Sequence, residues 1–394
     1  MPTPSIGPTP ATIQRYRSLY ENELFEHVIP FWERYSPDGT HGGTFNNLDR
    51  DGAVYDTTKH VWLLARQVWM FAKLYRDVEQ LPGWLRLARS GMEFLRQYAV
   101  TPDKRVYFAL AADGRPVYRQ RKIFSECFYV MALAEYARAA NEIQLMKEAK
   151  ESLGALFDLA GDPVKIGRPA FAGVPQMQTL AVPMILLNVI SEVAGNDLHV
   201  YGPEIDDLIR RVRLHMRDDT QAVHEYVAPG GGTLPGPTGR LLNPGHAIEA
   251  GWFLQQVAQR LGRKDVEDLA LDMVRQSYHL GWDTKHGGLY YFMDSDGYSP
   301  TQLEWSMKLW WPHCEALYAH LLGHSLTGNV SDWNAFEETH RYVWRHFVDP
   351  DYGEWYGYLD REGRVTHRFK GGPYKGCFHV PRALWLCWRL LGRM

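Results

Sequence analysis

Two kinds of apolar stretch alternate along the chain. Residues 62–71 are apolar almost all round, the pattern of a helix buried on every side, whereas residues 84–98 keep a polar face carrying Arg86, Arg89 and Arg96. The same order recurs at 128–140 followed by 144–160, and at 248–260 followed by 266–280. Ahead of the all-apolar stretches lie short runs of alternating aromatics broken by Asp-Gly or Glu-Gly, which predict β-hairpins. Gly42-Gly43-Thr44-Phe45 runs through Asp51-Gly52 to Lys59-His60-Val61-Trp62. Val106-Tyr107-Phe108 runs through Asp113-Gly114 to Lys122-Ile123-Phe124-Ser125. Gly287-Gly288-Leu289-Tyr290 runs through Asp296-Gly297 to Lys308-Leu309-Trp310-Trp311. Tyr352-Gly353-Glu354-Trp355 runs through Glu362-Gly363 to Lys375-Gly376-Cys377-Phe378. Weaker copies open at Glu225-Tyr226-Val227, leading to Asn243-Pro244-Gly245-His246, and around residues 168–180.

The copies begin near residues 43, 107, 168, 225, 288 and 353, a spacing of roughly 60 to 65 residues. One unit cannot bury its apolar face alone, so six of them in a ring predict an all-α fold, an (α/α)6 barrel. Buried helices form its inner ring, amphipathic helices its outer ring, and the hairpins gather at one mouth. Residues 11–394 then make one domain, with Pro-rich residues 1–10 expected as a flexible tail.

Charge and composition narrow the partners. Forty-three basic residues against 46 acidic ones give a formal net charge of −3, which excludes the basic surface of a nucleic-acid binder. No run of about 18 apolar residues predicts a membrane span, and the first residues lack the basic and apolar regions of a signal peptide. Cys127, Cys314, Cys377 and Cys387 form no CxxC pair and sit among apolar residues, so reduced buried thiols and a cytoplasmic location are expected. The 14 Trp and 22 Tyr serve core packing first and sugar stacking second.

Aligned on the start of each inner helix, the units bring Trp62, Ser125, His246, Trp311 and Phe378 to the mouth. One turn further come Arg66, Glu249, Glu315 and Arg382. Packing gives buried helices no reason to carry so many ionisable groups. His246 and Glu249 share a helix face at i, i+3, so Glu249 is expected to hold that imidazole, and His379 has Arg382 at the same spacing. Two histidines at equivalent positions of separate units suit general acid–base chemistry. His313 is a weaker candidate, because Glu315 two positions on faces elsewhere. His246, Glu249, Glu315 and His379 are also residue types that ligate metals, but no metal is expected. Residues 161–168 are basic and turn-rich, and read as a hairpin loop before a phosphate site. P-loop, GxGxxG, HExxH and GxSxG motifs are all missing.

At these motifs the chain resembles the N-acylglucosamine 2-epimerase family, also known as renin-binding protein. The stretches VYDTTKHVWLLARQVWMFAKLY, LLNPGHAIEAGWFL and YGEWYGYLDREGRVTHRFKGGPYKGCFHVPRALWLCW carry much of the likeness, which reaches from residue 54 to 388. The resemblance implies a homodimeric barrel that interconverts N-acetylglucosamine and N-acetylmannosamine without a cofactor for the chemistry. It puts proton transfer on His246 and His379, with Arg66, Glu249 and Glu315 lining the site. Trp62, Trp311 and Asn243 are expected to contact the sugar. In several members ATP activates without being consumed. Cellobiose or mannose 2-epimerases and aldose–ketose isomerases share these features. A different class, an (α/α)6 glycoside hydrolase, would use Glu249 and Glu315 as its carboxylate pair. A non-catalytic protein-binding module would leave the buried charges without a purpose.

Overall fold

The computed structural model describes residues 7–162, 164–167, 173–174, 176–217 and 220–394. The chain opens with helix α1 (Pro10–Asn22), a π-helical turn (Glu23–Val28) and helix α2 (Ile29–Tyr35). Thr9 caps α1 by accepting from the Thr12 N–H, and Pro10 occupies the first helical position. Residue 10 therefore belongs to the helix and not to the expected tail, of which residues 1–6 lie outside the described residues. The π turn has a local cause. Pro30 has no N–H to offer the carbonyl four residues back, and the Ile29 N–H reaches the Leu24 carbonyl five residues back.

Five helical hairpins follow, each a buried inner helix and an amphipathic outer one. They are α3 (Val61–Asp77) with α4 (Pro82–Tyr98), α5 (Phe124–Ala139) with α6 (Ile143–Ala160), and α7 (Ala181–Ala194) with α8 (Gly202–Arg213). After a short helix α9 (Gly236–Arg240) come α10 (Pro244–Leu261) with α11 (Lys264–Gly281), and α12 (Trp310–Thr327) with α13 (Val330–His346). The sixth unit departs from the expectation of two helices per repeat, because only α14 (His379–Leu391) follows its hairpin. Its outer partner is α1, which packs on α14. The two ends of the chain thus complete one unit, and the ring closes where Trp69 of α3 meets Trp385 of α14, ring centroids 6.5 Å apart. The architecture is an (α/α)6 barrel, and no described helix is long and apolar enough to cross a membrane.

The two residues leading into an inner helix pair antiparallel with the next unit's hairpin. Lys59–His60 pairs with Ala109–Leu110, Gln178–Thr179 with Tyr226–Val227, Leu241–Leu242 with Met293–Asp294, and Lys308–Leu309 with Tyr358–Leu359. The Lys370 and Gly371 N–H groups donate to the Leu48 carbonyl and join the sixth hairpin to the first. Much of the weak copy around residues 168–180 lies outside the described residues, but its strand at Gln178–Thr179 is in place.

Fully buried lysines lock these hairpins. Lys59 reaches Asp38 at 2.7 Å, Lys308 reaches Asp283 at 3.2 Å and Lys370 reaches Asp349 at 2.8 Å, each also donating to a main-chain carbonyl. Arg361 of the sixth hairpin joins Asp283, and Arg50 of the first joins Asp349, so each of these carboxylates ties two neighbouring units. Asp283→Ala would leave the Lys308 ammonium buried and uncompensated. Urea denaturation is expected to show a loss of about 3–5 kcal/mol. The double variant Asp283→Leu/Lys308→Met is expected to recover much of it.

Candidate active site

Three consecutive inner helices supply the charged heart of the site. Arg382 of α14 donates from Nη2 to Glu249 of α10 at 2.8 Å and to Glu315 of α12 at 2.7 Å, and all three residues are buried. The same Glu315 Oε1 lies 2.7 Å from His379 Nδ1, while its Oε2 accepts from Trp252 Nε1 at 2.8 Å. An ionised carboxylate on Nδ1 keeps the ring proton there, leaving Nε2 as the free nitrogen. Burial, with the Arg66 and Arg382 guanidiniums nearby, pushes His379 well below the usual histidine range.

His246 opens α10 and is held from a different side. Its Nδ1 lies 2.9 Å from Glu225 Oε2, and its own N–H is capped by Asn243 Oδ1 at 3.1 Å. Glu249 was expected in the role that Glu225 fills. One helical turn deeper, the Glu249 carboxylate is drawn to Arg382 instead. Burial favours the neutral ring, but the Glu225 carboxylate outweighs it and raises His246 above the ordinary value. The only signal for Glu225 in the chain is an acidic residue opening an otherwise apolar strand, and the repeat gave it no partner.

Trp311, at the start of α12, lies beside both imidazoles, its ring centroid 5.3 Å from His246 and 5.9 Å from His379. Trp62 lines the wall and donates from Nε1 to the Pro373 carbonyl at 3.2 Å. Asn243 is 3% exposed and its side-chain oxygen caps α10, which positions His246. His313 is fully buried. Its Nε2 accepts from the Leu289 N–H, its Nδ1 donates to the Leu309 carbonyl, and burial holds it neutral at about 3. It pins the fifth hairpin to α12.

Arg66 of α3 is the unusual cation. Its guanidinium lies over Phe128 at 3.8 Å, Trp62 at 4.6 Å and Phe378 at 4.9 Å, with no hydrogen bond or ion pair to any described residue, and its Nε is buried without a partner. Burial pulls it down to about 9, with Glu249 opposing, so it stays charged at neutral pH. Free donors on a dry cation suit a developing oxyanion. Glu249, Glu315 and His379 also bring ligand atoms within 4.8 Å of one another. The Arg382 Nη2 already occupies the centre of that group, which makes the set an ion-pair network in preference to a metal cradle.

A family model described as N-acylglucosamine 2-epimerase (GlcNAc 2-epimerase) matches residues 43–383. The chain belongs to that family. It is 45% identical over 392 residues to the N-acylglucosamine 2-epimerase of Mus musculus, covering 97% of this chain and 93% of the mouse protein. The Homo sapiens N-acylglucosamine 2-epimerase is also 45% identical, over 97% of this chain and 92% of its own. Among solved structures, cellobiose 2-epimerase from Spirochaeta thermophila DSM 6192 superposes with a TM-score of 0.82 at 23% identity, over 97% of this chain and 98% of that one, which speaks for the shared fold. As a member of the N-acylglucosamine 2-epimerase family the protein is an isomerase of the epimerase type acting on a carbohydrate.

The two histidines are expected to titrate in opposite senses. In a pH series of imidazole nitrogen NMR spectra, assigned with His246→Asn and His379→Asn, His246 should stay an imidazolium above pH 6.5. His379 should stay neutral well below that pH. The reverse order would overturn the electrostatic reading of both neighbourhoods.

Proposed function

We propose that the protein interconverts N-acetylglucosamine and N-acetylmannosamine by passing a proton between C2 of the ring-opened sugar and the pair His246 and His379. The observation that carries this reading is the matched presentation of the two imidazoles. Each is tied through Nδ1 to a carboxylate, each offers Nε2, and Trp311 packs beside both. The C2 hydrogen becomes acidic once C1 is a free aldehyde. One neutral imidazole takes that proton, the C2–H electron pair moves into the C1–C2 bond, and charge collects on O1. The free N–H groups of Arg66 stabilise that oxyanion. The opposite imidazolium then protonates C2 from the other face, and the centre inverts. Imidazole suits both halves because its ordinary pKa of about 6.5 makes either form accessible near neutrality.

The carbohydrate relatives named for cellobiose make other sugars a matter for the same assay. A hydrolase is less well supported, because Glu249 and Glu315 share one guanidinium and Glu315 also holds His379, which leaves neither placed to protonate a leaving group.

Incubation in heavy water with N-acetylglucosamine, cellobiose or mannose, followed by NMR, reports which sugar gains deuterium at C2. N-acetylglucosamine is expected to exchange fastest, and exchange of cellobiose or mannose alone would replace the substrate. His246→Ala and His379→Ala are each expected to lower epimerisation by about a hundred- to ten-thousand-fold with the fold intact. Full activity in either would remove that residue from the mechanism. Exhaustive chelation is expected to leave the rate unchanged, and a loss reversed by zinc or manganese would make the Glu249, Glu315 and His379 set a metal site. Running the exchange with and without ATP, and sizing the protein by chromatography, tests the nucleotide response and the homodimer.

A further inference from the structure

We propose that Glu225, anchored by Thr179, is the positioning residue that keeps the site's transferable proton on His246 between turnovers, so that His379 is the base that acts first on the epimer whose C2 hydrogen faces it. The inference rests on the two-histidine reading above and adds a direction to it.

Its first support is how firmly Glu225 is fixed. The Glu225 N–H donates to the Leu241 carbonyl at 2.9 Å, and its own carbonyl accepts from the Leu180 N–H at 3.0 Å. Its Oε1 accepts from Thr179 Oγ1 at 3.0 Å, which turns Oε2 toward His246 Nδ1 at 2.9 Å. The side chain of Glu225 is 5% exposed, against 27% for His246. A buried carboxylate thus faces the inner edge of a ring whose other edge is open.

Charge balance supplies the second support. Among the described residues the charged groups gathered at the site include three carboxylates (Glu225, Glu249, Glu315) and two guanidiniums (Arg66, Arg382), with Arg382 already bridging Glu249 and Glu315. No lysine or arginine among the described residues pairs with Glu225, and an imidazolium at His246 is the cation within contact of it. His379 has no such vacancy, because the carboxylate on its Nδ1 is shared with Arg382. Other groups facing His246 are Glu249 one turn below, which favours its charge, and Lys122 and His379, which oppose it. Trp311 faces it as an uncharged wall. When His379 takes a proton from carbon and His246 gives one up, the charge of the site is conserved, and the protonated ring has changed places. Solvent exchange then restores the resting form, with the proton back beside Glu225.

The test compares wild type with Glu225→Gln, Glu225→Asp and Thr179→Val. Each is measured for epimerisation and for C2 deuterium exchange with retention, using N-acetylglucosamine and N-acetylmannosamine in heavy water across pH 6 to 9. Removing the carboxylate lowers the His246 pKa, so the proton is lost at lower pH. The alkaline limb of kcat/KM in E225Q should fall by about 1 to 3 pH units. Epimerisation near pH 8 should drop by about a hundredfold and recover as the pH is lowered. Exchange with retention should fall much less, because a neutral imidazole still removes and returns a proton on its own face. E225D should keep the wild-type limb, and T179V should shift it in the same sense by less. An unmoved alkaline limb in E225Q, or exchange and epimerisation falling together at every pH, would overturn the proposal. Absence of C2 exchange in the wild type would instead overturn the two-histidine reading, and the proposal with it.

Discussion

A guanidinium with 3% exposure, that of Arg382, draws carboxylates from two other inner helices to within 2.8 Å, and this contact fixes the rest of the site. Burying any of the three charges alone would be costly, so each is stable in the barrel only because the others are present. The network therefore dictates the azimuth at which α10, α12 and α14 face the axis. It also leaves Glu315 with a second contact, the Nδ1 of His379, and in this way a structural ion pair becomes the element that orients that ring. Glu249 completes the pair and is unavailable to His246, which takes its carboxylate from the strand that precedes it.

The mouth uses the same physics for a different end. Lys59 with Asp38, Lys308 with Asp283, and Lys370 with Asp349 are ion pairs with side chains at most 2% exposed, set among aromatic rings. Each lysine also donates to a main-chain carbonyl, that of Gly42, Gly288 or Glu354. The Asp283 and Asp349 carboxyls are held well below the usual range, burial opposing and the neighbouring Arg361 and Arg50 prevailing. Two-stranded hairpins are marginal on their own. Pinned in this way, and paired edge to edge with the helix-leading residues of the next unit, they form a collar stiff enough to hold Glu225 in register with His246.

The six units share one framework, and the chemistry lies where they differ. His246, Trp311 and His379 begin three successive inner helices, yet their surroundings give the two imidazoles opposite tendencies. His246 meets a carboxylate that no lysine or arginine among the described residues pairs with, whereas His379 sits beside Arg66 and Arg382. One helix position with two electrostatic environments gives the same residue type two opposite protonation tendencies. Arg66, on the neighbouring α3, lies over Phe378 beside His379, with no hydrogen bond or ion pair to a described residue.

The sequence alone determined the number of units, the alternation of inner and outer helices, the hairpins at one mouth and the presence of ionisable groups on buried helices. These follow from periodicity and from turn residues, which act over a few neighbours and are written locally. The cap that Asn243 places on α10 is visible only in the structure, because a helix cap and a ligand-binding amide look alike along a chain. His313 read as a weak candidate for a similar reason, and only its two main-chain partners show it to be a pin. Tertiary structure alone decided that Glu225 and not Glu249 holds His246, that Arg382 joins Glu249 to Glu315, and that α1 supplies the sixth unit's missing helix. Those pairings span 21, 67 to 133 and more than 300 residues of chain, and the repeat does not encode them. A carboxylate takes whichever cation the closed ring brings within reach, and that choice exists only once the barrel has formed.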